Sequence, residues 1–207
     1  MSMRPCALCG ANAQYCDRTT GEYVCPAHAR LAVIAAGRPG AGPPPAIRRA
    51  LPADYARIEE LALYFWDETL VDCFDRQYDV RACPALVACD GEDVVGAASF
   101  AVEEAWNAIV LVMLNVLPGF QGRGGGRSLL DALREQAQER GLARLLVATT
   151  NDDLPALSLY QRYGFRLVEV VAGRVAEDHA PEVIAGFAGI PVRDEMRLEL
   201  QLPPGGR

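Results

Sequence analysis

Two stretches of the sequence carry residue types whose spacing could do chemistry. In the first, Cys6-x-x-Cys9 is followed, after 15 intervening residues, by Cys25-x-x-His28. Two such pairs of thiolate and imidazole ligands can hold a tetrahedral zinc ion. A segment of about 30 residues buries too little apolar surface to fold without such a cross-link. The spacing therefore predicts a zinc-ribbon-like module with Cys6, Cys9, Cys25 and His28 as the ligands.

The remaining cysteines leave alternatives open. Cys16 is either a fifth candidate ligand, able to replace one of the four, or a buried strand cysteine. Disulfides are not expected in a cytoplasmic chain. A redox Cys-x-x-Cys pair would need a preceding strand, which the first five residues do not provide. Cys73, Cys83 and Cys89 show no patterned spacing, and we predict that they are small buried apolar residues.

The second stretch is QGRGGGRSLL, from Gln121 to Leu130. A P-loop would need glycine at position 121 and lysine at 127, and a dinucleotide fingerprint would need its third glycine at 127 or 129, so neither motif fits. What remains is a glycine loop before a helix, whose free backbone N–H groups can bind an anion. Arg123 and Arg127 add positive charge. A glycine-rich turn with solvated arginines is the alternative on these residues alone.

Composition limits the functions open to the chain. Its 20 basic residues are all arginine, so mechanisms that use a lysine of this chain are excluded. Residues 1–50 have a net charge of +4 within a total of −7, which leaves −11 for the rest. An acidic main domain argues against nucleic-acid binding there and favours a cationic substrate. No apolar run reaches the roughly 18 residues of a membrane helix, and no signal peptide is apparent, so we expect a soluble cytoplasmic protein without a membrane partner.

The elements that must position these residues follow from the pattern. The Gly/Pro stretch at 35–46 predicts a linker between a module at 1–34 and a main domain at 47–207. The apolar run AIVLVMLNV, residues 108–116, belongs at the centre of a sheet. The whole pattern predicts an α/β domain with a mixed sheet. Helices are predicted at 52–70, 128–141 and 153–163, and strands at 47–51, 86–89, 94–102, 143–150, 164–172 and 195–202.

At this point the motifs show a resemblance. VLPGFQGRGGGRSLL resembles the coenzyme A pyrophosphate loop of the GNAT superfamily of acyl-CoA-dependent N-acetyltransferases, whose Q/R-x-x-G-x-G/A pattern is matched by Gln121, Gly124 and Gly126. Further along, DLPALSLYQRYGF resembles the second signature of that family, although Asp153 replaces its usual asparagine. The matching residues there are Ala156, Tyr160, Gly164 and Phe165. The resemblance covers residues 47 to 200.

The resemblance implies a mixed, mostly antiparallel GNAT-like sheet flanked by helices, and acetyl-CoA as co-substrate. Strand 108–116 would splay from its neighbour, so that backbone groups at Asn115 and Val116 hold pantetheine and polarise the thioester. Tyr160 would be the general acid that protonates the departing thiolate, or otherwise a core tyrosine. Asp153 can cap a helix but cannot donate, and Asn151 could supply a missing contact. The remaining cofactor-binding residues would be Gln121, Gly122, Arg123, Gly124, Gly125, Gly126 and Arg127.

The acceptor side is less defined. Direct attack requires a neutral amine and hence a base, for which Glu103, Glu104, Asp194 and Glu195 are candidates, each of them also readable as a solvated carboxylate. The long segment 173–194 is expected to wall the acceptor site, with His179 on its rim or solvated.

Two functions of different class remain. One is an N-acetyltransferase acting on a primary amine in a ternary complex; polyamine, aminoglycoside, amino acid and protein amino terminus all stay open as acceptors. The other is a non-catalytic acyl-CoA sensor or adaptor whose zinc module docks a protein or nucleic-acid partner. A homodimer is the default assembly.

Overall fold

The computed structural model describes residues 4–17, 20–29 and 42–203. Its main element is a seven-stranded sheet in the order β10-β11-β9-β8-β7-β6-β3, in which every neighbouring pair is antiparallel except β8 and β9. The strands are β3 (Ala46–Arg49), β6 (Ala85–Asp90), β7 (Asp93–Glu103), β8 (Ala108–Val116), β9 (Arg144–Thr150), β10 (Arg166–Val171) and β11 (Glu195–Gln201). The predicted mixed α/β sheet is confirmed.

Strand β8 is the middle strand of this sheet, as its apolar sequence predicts. Leu111 and Met113 are only 1% exposed, and the strand lies between β7 and β9. A β-strand buried on both faces needs apolar side chains at successive positions, which explains the nearly unbroken run of branched residues. The helices against the sheet are α1 (Tyr55–Trp66), α2 (Gly125–Glu139) and α3 (Leu154–Tyr163), while a short α4 (Arg174–His179) lies in the segment between β10 and β11.

The helix predicted at 52–70 is wrong at its carboxyl end. Helix α1 stops at Trp66 because Asp67 adopts a left-handed conformation, with φ of 60°. Residues beyond it form a hairpin of β4 (Leu70–Cys73) and β5 (Arg76–Asp79) that was not predicted. Arg197 of β11 holds its turn by an ion pair to Asp75 at 2.9 Å. The hairpin is thus attached to the main sheet through a nearly buried guanidinium.

The amino-terminal module, residues 4–17 and 20–29, contains the short hairpin of β1 (Tyr15–Asp17) and β2 (Glu22–Val24). It packs against the end of α1, where the Asn12 amide donates to the Tyr64 carbonyl at 3.3 Å and the Gln14 amide donates to the Phe65 carbonyl at 2.6 Å. Most of the predicted linker, residues 35–41, lies outside the described residues, and Ala46 already belongs to β3. The division into 1–34, 35–46 and 47–207 stays a prediction.

The core of the module includes a residue from the far end of the chain. Phe187 is completely buried among Cys6, Val24, Cys25 and Ala29, and its ring meets that of Tyr15 edge-on at 5.4 Å between centroids. The segment 173–194 therefore supports the module. In this fully described segment, no residue lines the cavity described below, so the expectation that it walls the site is not met.

We expect Phe187→Ala to lower the free energy of unfolding by about 3–5 kcal/mol, because a buried ring is replaced by a cavity. Urea denaturation followed by circular dichroism measures this. Val183→Ala is the matched control, since that side chain is 78% exposed in the same segment and its truncation should cost less than about 0.5 kcal/mol. Equal stabilities of the two variants would contradict the packing described here.

Candidate functional site

The site begins where two central strands separate. Strands β8 and β9 pair in parallel from Ala108 and Arg144 up to Leu111 and Val147, and their ladder ends there. The pairing of β8 with β7 shifts by one residue between Met113 and Leu111, so that Val112 forms a bulge at the same point. The remaining residues of β8 leave β9. We call the opening between them the β8–β9 gap.

A cavity of about 560 Å³ occupies the β8–β9 gap, within the usual range of small-molecule sites. The residues that line it include members of β8, the glycine loop, α3 and the amino-terminal module. Among them are Gln14, Tyr15, Phe65, Trp66, Leu114, Asn115, Val116, Gln121, Gly122, Gly124, Gly125, Gly126, Arg127, Thr149, Asp153 and Tyr160. The sequence-predicted catalytic tyrosine and most of the predicted cofactor-binding residues are thus brought together.

The backbone of β8 offers hydrogen-bonding groups to the gap. Leu117 N donates to Val95 O at 2.8 Å. In an antiparallel pair, every second residue of a strand directs its backbone N–H and C=O to the partner strand. Asn115, two residues before Leu117, therefore directs its N–H to β7. The backbone groups of Leu114 and Val116 point the other way, into the gap. The prediction for Val116 agrees with this geometry, whereas the backbone N–H of Asn115 faces away.

The side chain of Asn115 contributes instead. Asn115 is only 7% exposed, and its Nδ2 has no hydrogen-bond partner among the described residues. An unpaired buried amide donor costs about 1–3 kcal/mol. A ligand oxygen in the cavity would satisfy it.

The glycine loop closes one end of the cavity. Gly122 and Gly124 have φ of 72° and 92°, a left-handed conformation that side chains disfavour. Helix α2 begins at Gly125, so the N–H groups of its first turn and the positive end of its dipole face the cavity. A Cβ on Gly126 would lie 3.3 Å from Leu159 Cδ2, so a larger residue would crowd α3 against the helix start. This geometry leaves room for an anion at the helix start, and the predicted anion cradle stays a prediction.

Two arginines of the loop differ in placement. Arg127 lines the cavity and stacks on Tyr163 at 5.5 Å. Arg123 does not line it; its guanidinium lies over the Phe120 ring at 4.6 Å and donates to Gly119 O at 3.4 Å. Arg123 therefore braces the outside of the loop. Gln121 lines the cavity, and its Nε2 donates to the carbonyl of Val116 at 3.0 Å.

Tyr160 of α3 and Asp153, the residue that caps this helix, both line the cavity. Tyr160 is 5% exposed. Burial raises the pKa of its phenol, and the charge of Asp153 raises that pKa further, which keeps the phenol protonated at neutral pH. Asp153 caps α3 by accepting from Ala156 N at 3.2 Å and accepts from the Thr149 hydroxyl at 3.0 Å. Burial raises the pKa of the Asp153 carboxyl to about 6, despite these two donors.

The other predicted polar residues are occupied elsewhere. Asn151 donates to Pro191 O at 3.0 Å and accepts from the backbone of Arg193, so it anchors the segment before β11 and does not reach the cavity. His179 ends α4 and is exposed. None of the four base candidates lines the cavity. Glu103 binds Arg76 and Tyr78, Glu104 is exposed, Asp194 accepts from Gly173 N and Glu195 pairs with Arg197.

The four predicted metal ligands converge. Their ligand atoms all lie within 4.8 Å of one another, and Cys16 is not a member of this cluster. The Cys9 and Cys25 sulfurs are 3.7 Å apart, and His28 Nδ1 lies 3.3 Å from Cys25 Sγ and 3.6 Å from Cys6 Sγ. Zinc–ligand bonds in a tetrahedron give separations of about 3.8 Å between sulfurs and about 3.6 Å between sulfur and nitrogen. The donor set and its spacing fit zinc.

The sequence did not reveal that the module touches the cavity. Gln14 and Tyr15 line it, and the Gln121 Nε2 that bonds β8 also donates to Gln14 O at 2.8 Å. No local pattern could have shown this, because the contact joins residues 107 positions apart.

Comparison with known proteins gives the family of this fold and site. Residues 49–165 match the Acetyltransferase (GNAT) family. The L-methionine sulfoximine/L-methionine sulfone acetyltransferase of Pseudomonas aeruginosa is 34% identical over 111 residues, 49% of this chain and 64% of that protein. Streptothricin acetyltransferase of Streptomyces lavendulae is 38% identical over 80 residues, 38% of this chain and 41% of that protein. The chain belongs to the GNAT family and is an acetyltransferase of this class.

A solved structure adds the donor. A Bacillus subtilis acetyltransferase in complex with CoA superposes with a TM-score of 0.61 at 25% identity, covering 76% of this chain and 98% of that one. The CoA bound in this related acetyltransferase supports acetyl-CoA as the acetyl donor. Among the described residues, no helix is long and apolar enough to cross a membrane.

Gly124→Glu should abolish measurable binding of CoA, because its carboxylate would repel the pyrophosphate at the start of α2. Isothermal titration calorimetry measures the affinity. Gly141→Glu is the matched control, since Gly141 also has a positive φ, of 69°, but follows the other end of α2. An unchanged affinity for CoA in the Gly124→Glu variant would show that the pyrophosphate does not bind at the start of α2.

Asp153→Asn should stabilise the protein at pH 7.5. Because the folded-state pKa of about 6 exceeds the ordinary 3.8, the carboxyl favours folding below pH 4, and this contribution is lost as the pH rises through 6. The amide avoids that loss, which we expect to be on the order of 1–3 kcal/mol. Urea unfolding at pH 5 and 7.5 tests this, with exposed Asp93→Asn as the control. If Asp153→Asn raised the free energy of unfolding no more at pH 7.5 than at pH 5, the raised pKa of the Asp153 carboxyl would be contradicted.

Proposed function

We propose that the protein transfers the acetyl group of acetyl-CoA to a primary amine of a small molecule by direct attack in a ternary complex. The observation that carries the proposal is that one cavity joins three features: the opened backbone of β8, the glycine start of α2, and the phenol of Tyr160. Bringing donor and acceptor together in such a site makes the reaction effectively unimolecular.

The donor would bind by backbone groups at two points. The pyrophosphate would rest on the N–H groups that open α2, within the loop from Gln121 to Arg127. Pantetheine would lie along Val116 and Leu114 in the β8–β9 gap, as an added strand does. One N–H of this edge would polarise the thioester carbonyl. The unpaired amide of Asn115 is a further donor in the same cavity.

Tyr160 would protonate the leaving thiolate. Its burial keeps the phenol neutral, and the same low-polarity surroundings destabilise the thiolate that needs the proton. Proton transfer of this kind typically contributes about 10²–10⁴-fold to a rate.

Asp153 would take the proton from the amine, directly or through water. It is the sole carboxylate among the described residues that line the cavity. Its pKa of about 6 leaves it ionised at neutral pH yet close enough to that pH for general-base work. Asp153 thus takes the place of the four carboxylates that the sequence analysis considered as the base. The same role would explain why an aspartate stands here in place of the family's usual asparagine.

The relatives guide the choice of acceptor. The substrates for which they are named, L-methionine sulfoximine, L-methionine sulfone and streptothricin, are small molecules. Small amines, including amino-acid derivatives, are therefore the first acceptors to test. A sensor or adaptor remains the alternative and would bind CoA without transferring its acetyl group.

The experiment is thiol release from acetyl-CoA with a panel of small amines. We expect turnover with at least one amine, and a loss of 10²-fold or more, on the order of the general-acid contribution, in Tyr160→Phe with unchanged CoA affinity. Tyr55→Phe is the control, because that phenol donates to Cys83 O at 3.0 Å outside the cavity. Tight CoA binding with no thiol release from any amine would support the sensor instead.

We also propose that Cys6, Cys9, Cys25 and His28 hold one zinc ion, which supplies a cross-link for a module too small to fold alone. Elemental analysis should find about one zinc per chain. Cys9→Ser should lose it, whereas Cys73→Ser, a buried cysteine of the main domain, should keep it. Folded, metal-free protein would show the proposal to be wrong.

A further inference from the structure

The β8–β9 gap widens toward the carboxyl ends of its two strands, because their ladder ends at Leu111 and Val147, and we call this its open end. Strands β8 and β9 run parallel, so their carboxyl ends lie at the same edge of the sheet, where the separation is widest. A ligand lying between the strands could leave through this edge, and water could enter. Residues 14 and 15 of the amino-terminal module occupy the wall of the cavity at this edge.

Gln14 is attached to the end of β8. The Gln121 amide bonds Val116 O, on the last residue of β8, at 3.0 Å and Gln14 O at 2.8 Å. The Gln14 amide in turn bonds the carbonyl of Phe65, which also lines the cavity. Gln14 is therefore fixed to the main domain by two hydrogen bonds, one at its backbone carbonyl and one at its side-chain amide.

Tyr15 is attached to the end of β9 through Phe187. The Tyr15 ring packs edge-on against Phe187, and Phe187 N donates to Asp152 Oδ2 at 2.9 Å, two residues beyond β9. Asp152 also accepts from the Thr150 hydroxyl, the last side chain of β9. Tyr15 is thus linked through Phe187 to Asp152, the residue before the Asp153 cap of α3.

From these contacts we infer that Gln14 and Tyr15 form a clasp over the open end of the β8–β9 gap, and that the Cys/His cluster holds this clasp in place over the pantetheine arm of acyl-CoA. The inference rests on the proposed function for its ligand. Phe187 packs against both Tyr15 and the cysteines, so the ligand cluster and the clasp share one small core. Metal loading and donor binding must then be coupled.

The coupling is reciprocal by thermodynamic necessity: whatever factor the metal adds to CoA affinity, CoA adds to metal affinity. Saturating CoA should therefore raise the zinc affinity of the full chain several-fold, measured at equilibrium as the chelator concentration that withdraws half of the zinc and read with a colorimetric zinc indicator. Calorimetry should show weaker CoA binding to the metal-free protein. Circular dichroism verifies that its main domain stays folded.

Tyr15→Ala should raise the Kd for CoA about tenfold, the usual effect of truncating an aromatic side chain at a binding site. Its zinc content should stay at the wild-type value. Glu22→Ala, an exposed position on β2 of the same module, is the matched control and should leave the Kd unchanged. If Tyr15→Ala loses zinc, Tyr15→Leu keeps apolar bulk against Phe187 and is used in its place.

The outcomes separate the two proposals. Failure of the wild-type protein to bind CoA would sink the proposed function, and the clasp with it. Tight CoA binding that is equal in wild-type, Tyr15-substituted and metal-free protein, with a zinc affinity that CoA does not change, would overturn the clasp alone.

Discussion

The site depends on the place where β8 and β9 stop pairing. Beyond Leu111 and Val147 the two central strands no longer exchange hydrogen bonds, and buried backbone groups left without partners are costly. The Gln121 side chain satisfies one of them, the carbonyl of Val116. The remainder face the cavity, where a ligand amide can replace the missing strand. The fold thus creates its binding edge by interrupting its most buried pair of strands.

This constraint explains how the surrounding elements are arranged. The bulge at Val112 redirects β8 at the point of separation. The glycine loop then turns the chain into α2, so that the positive helix end meets the same cavity that the opened strand borders. Helix α3 lies against the helix start through Leu159 and Gly126, with Tyr160 next in sequence. In the proposed complex, a donor held by backbone groups at one end would therefore be directed toward the Tyr160 phenol at the other.

Much of this could be predicted from the sequence, because the signals are local. The apolar run of β8 predicts both its bounds and its central position. The glycines from 122 to 126 predict a loop before a helix, and the structure has this loop, with positive φ at Gly122 and Gly124. The paired Cys/His spacings predict the converging ligand cluster. In each case the residue type answers a requirement of its own short segment.

The hairpin of β4 and β5 could not be predicted, because its turn lacks the usual local sequence signal. Its turn places Phe74 and Asp75 at positive φ, where glycine or asparagine would have been the signal, and Asp67 ends α1 in the same unusual conformation. Long-range contacts hold these residues there: Arg197 lies over the Phe74 ring and pairs with Asp75. The contact of Gln14 and Tyr15 with the cavity is likewise long-range. Tertiary contacts outweighed the local preference at each of these positions.

The position of the amino-terminal module has an energetic consequence. A small module with few apolar residues gains little from burial, and here it completes its core with Phe187 from the main domain. Tyr15 and Asp153 both line the cavity, and burial raises the pKa of the Asp153 carboxyl to about 6. In the proposed mechanism, loss of the module would expose this carboxyl to water, return its pKa toward the ordinary value and weaken it as a base. The proposed zinc ligands and the proposed base would in this way be connected through the Tyr15–Phe187 pair.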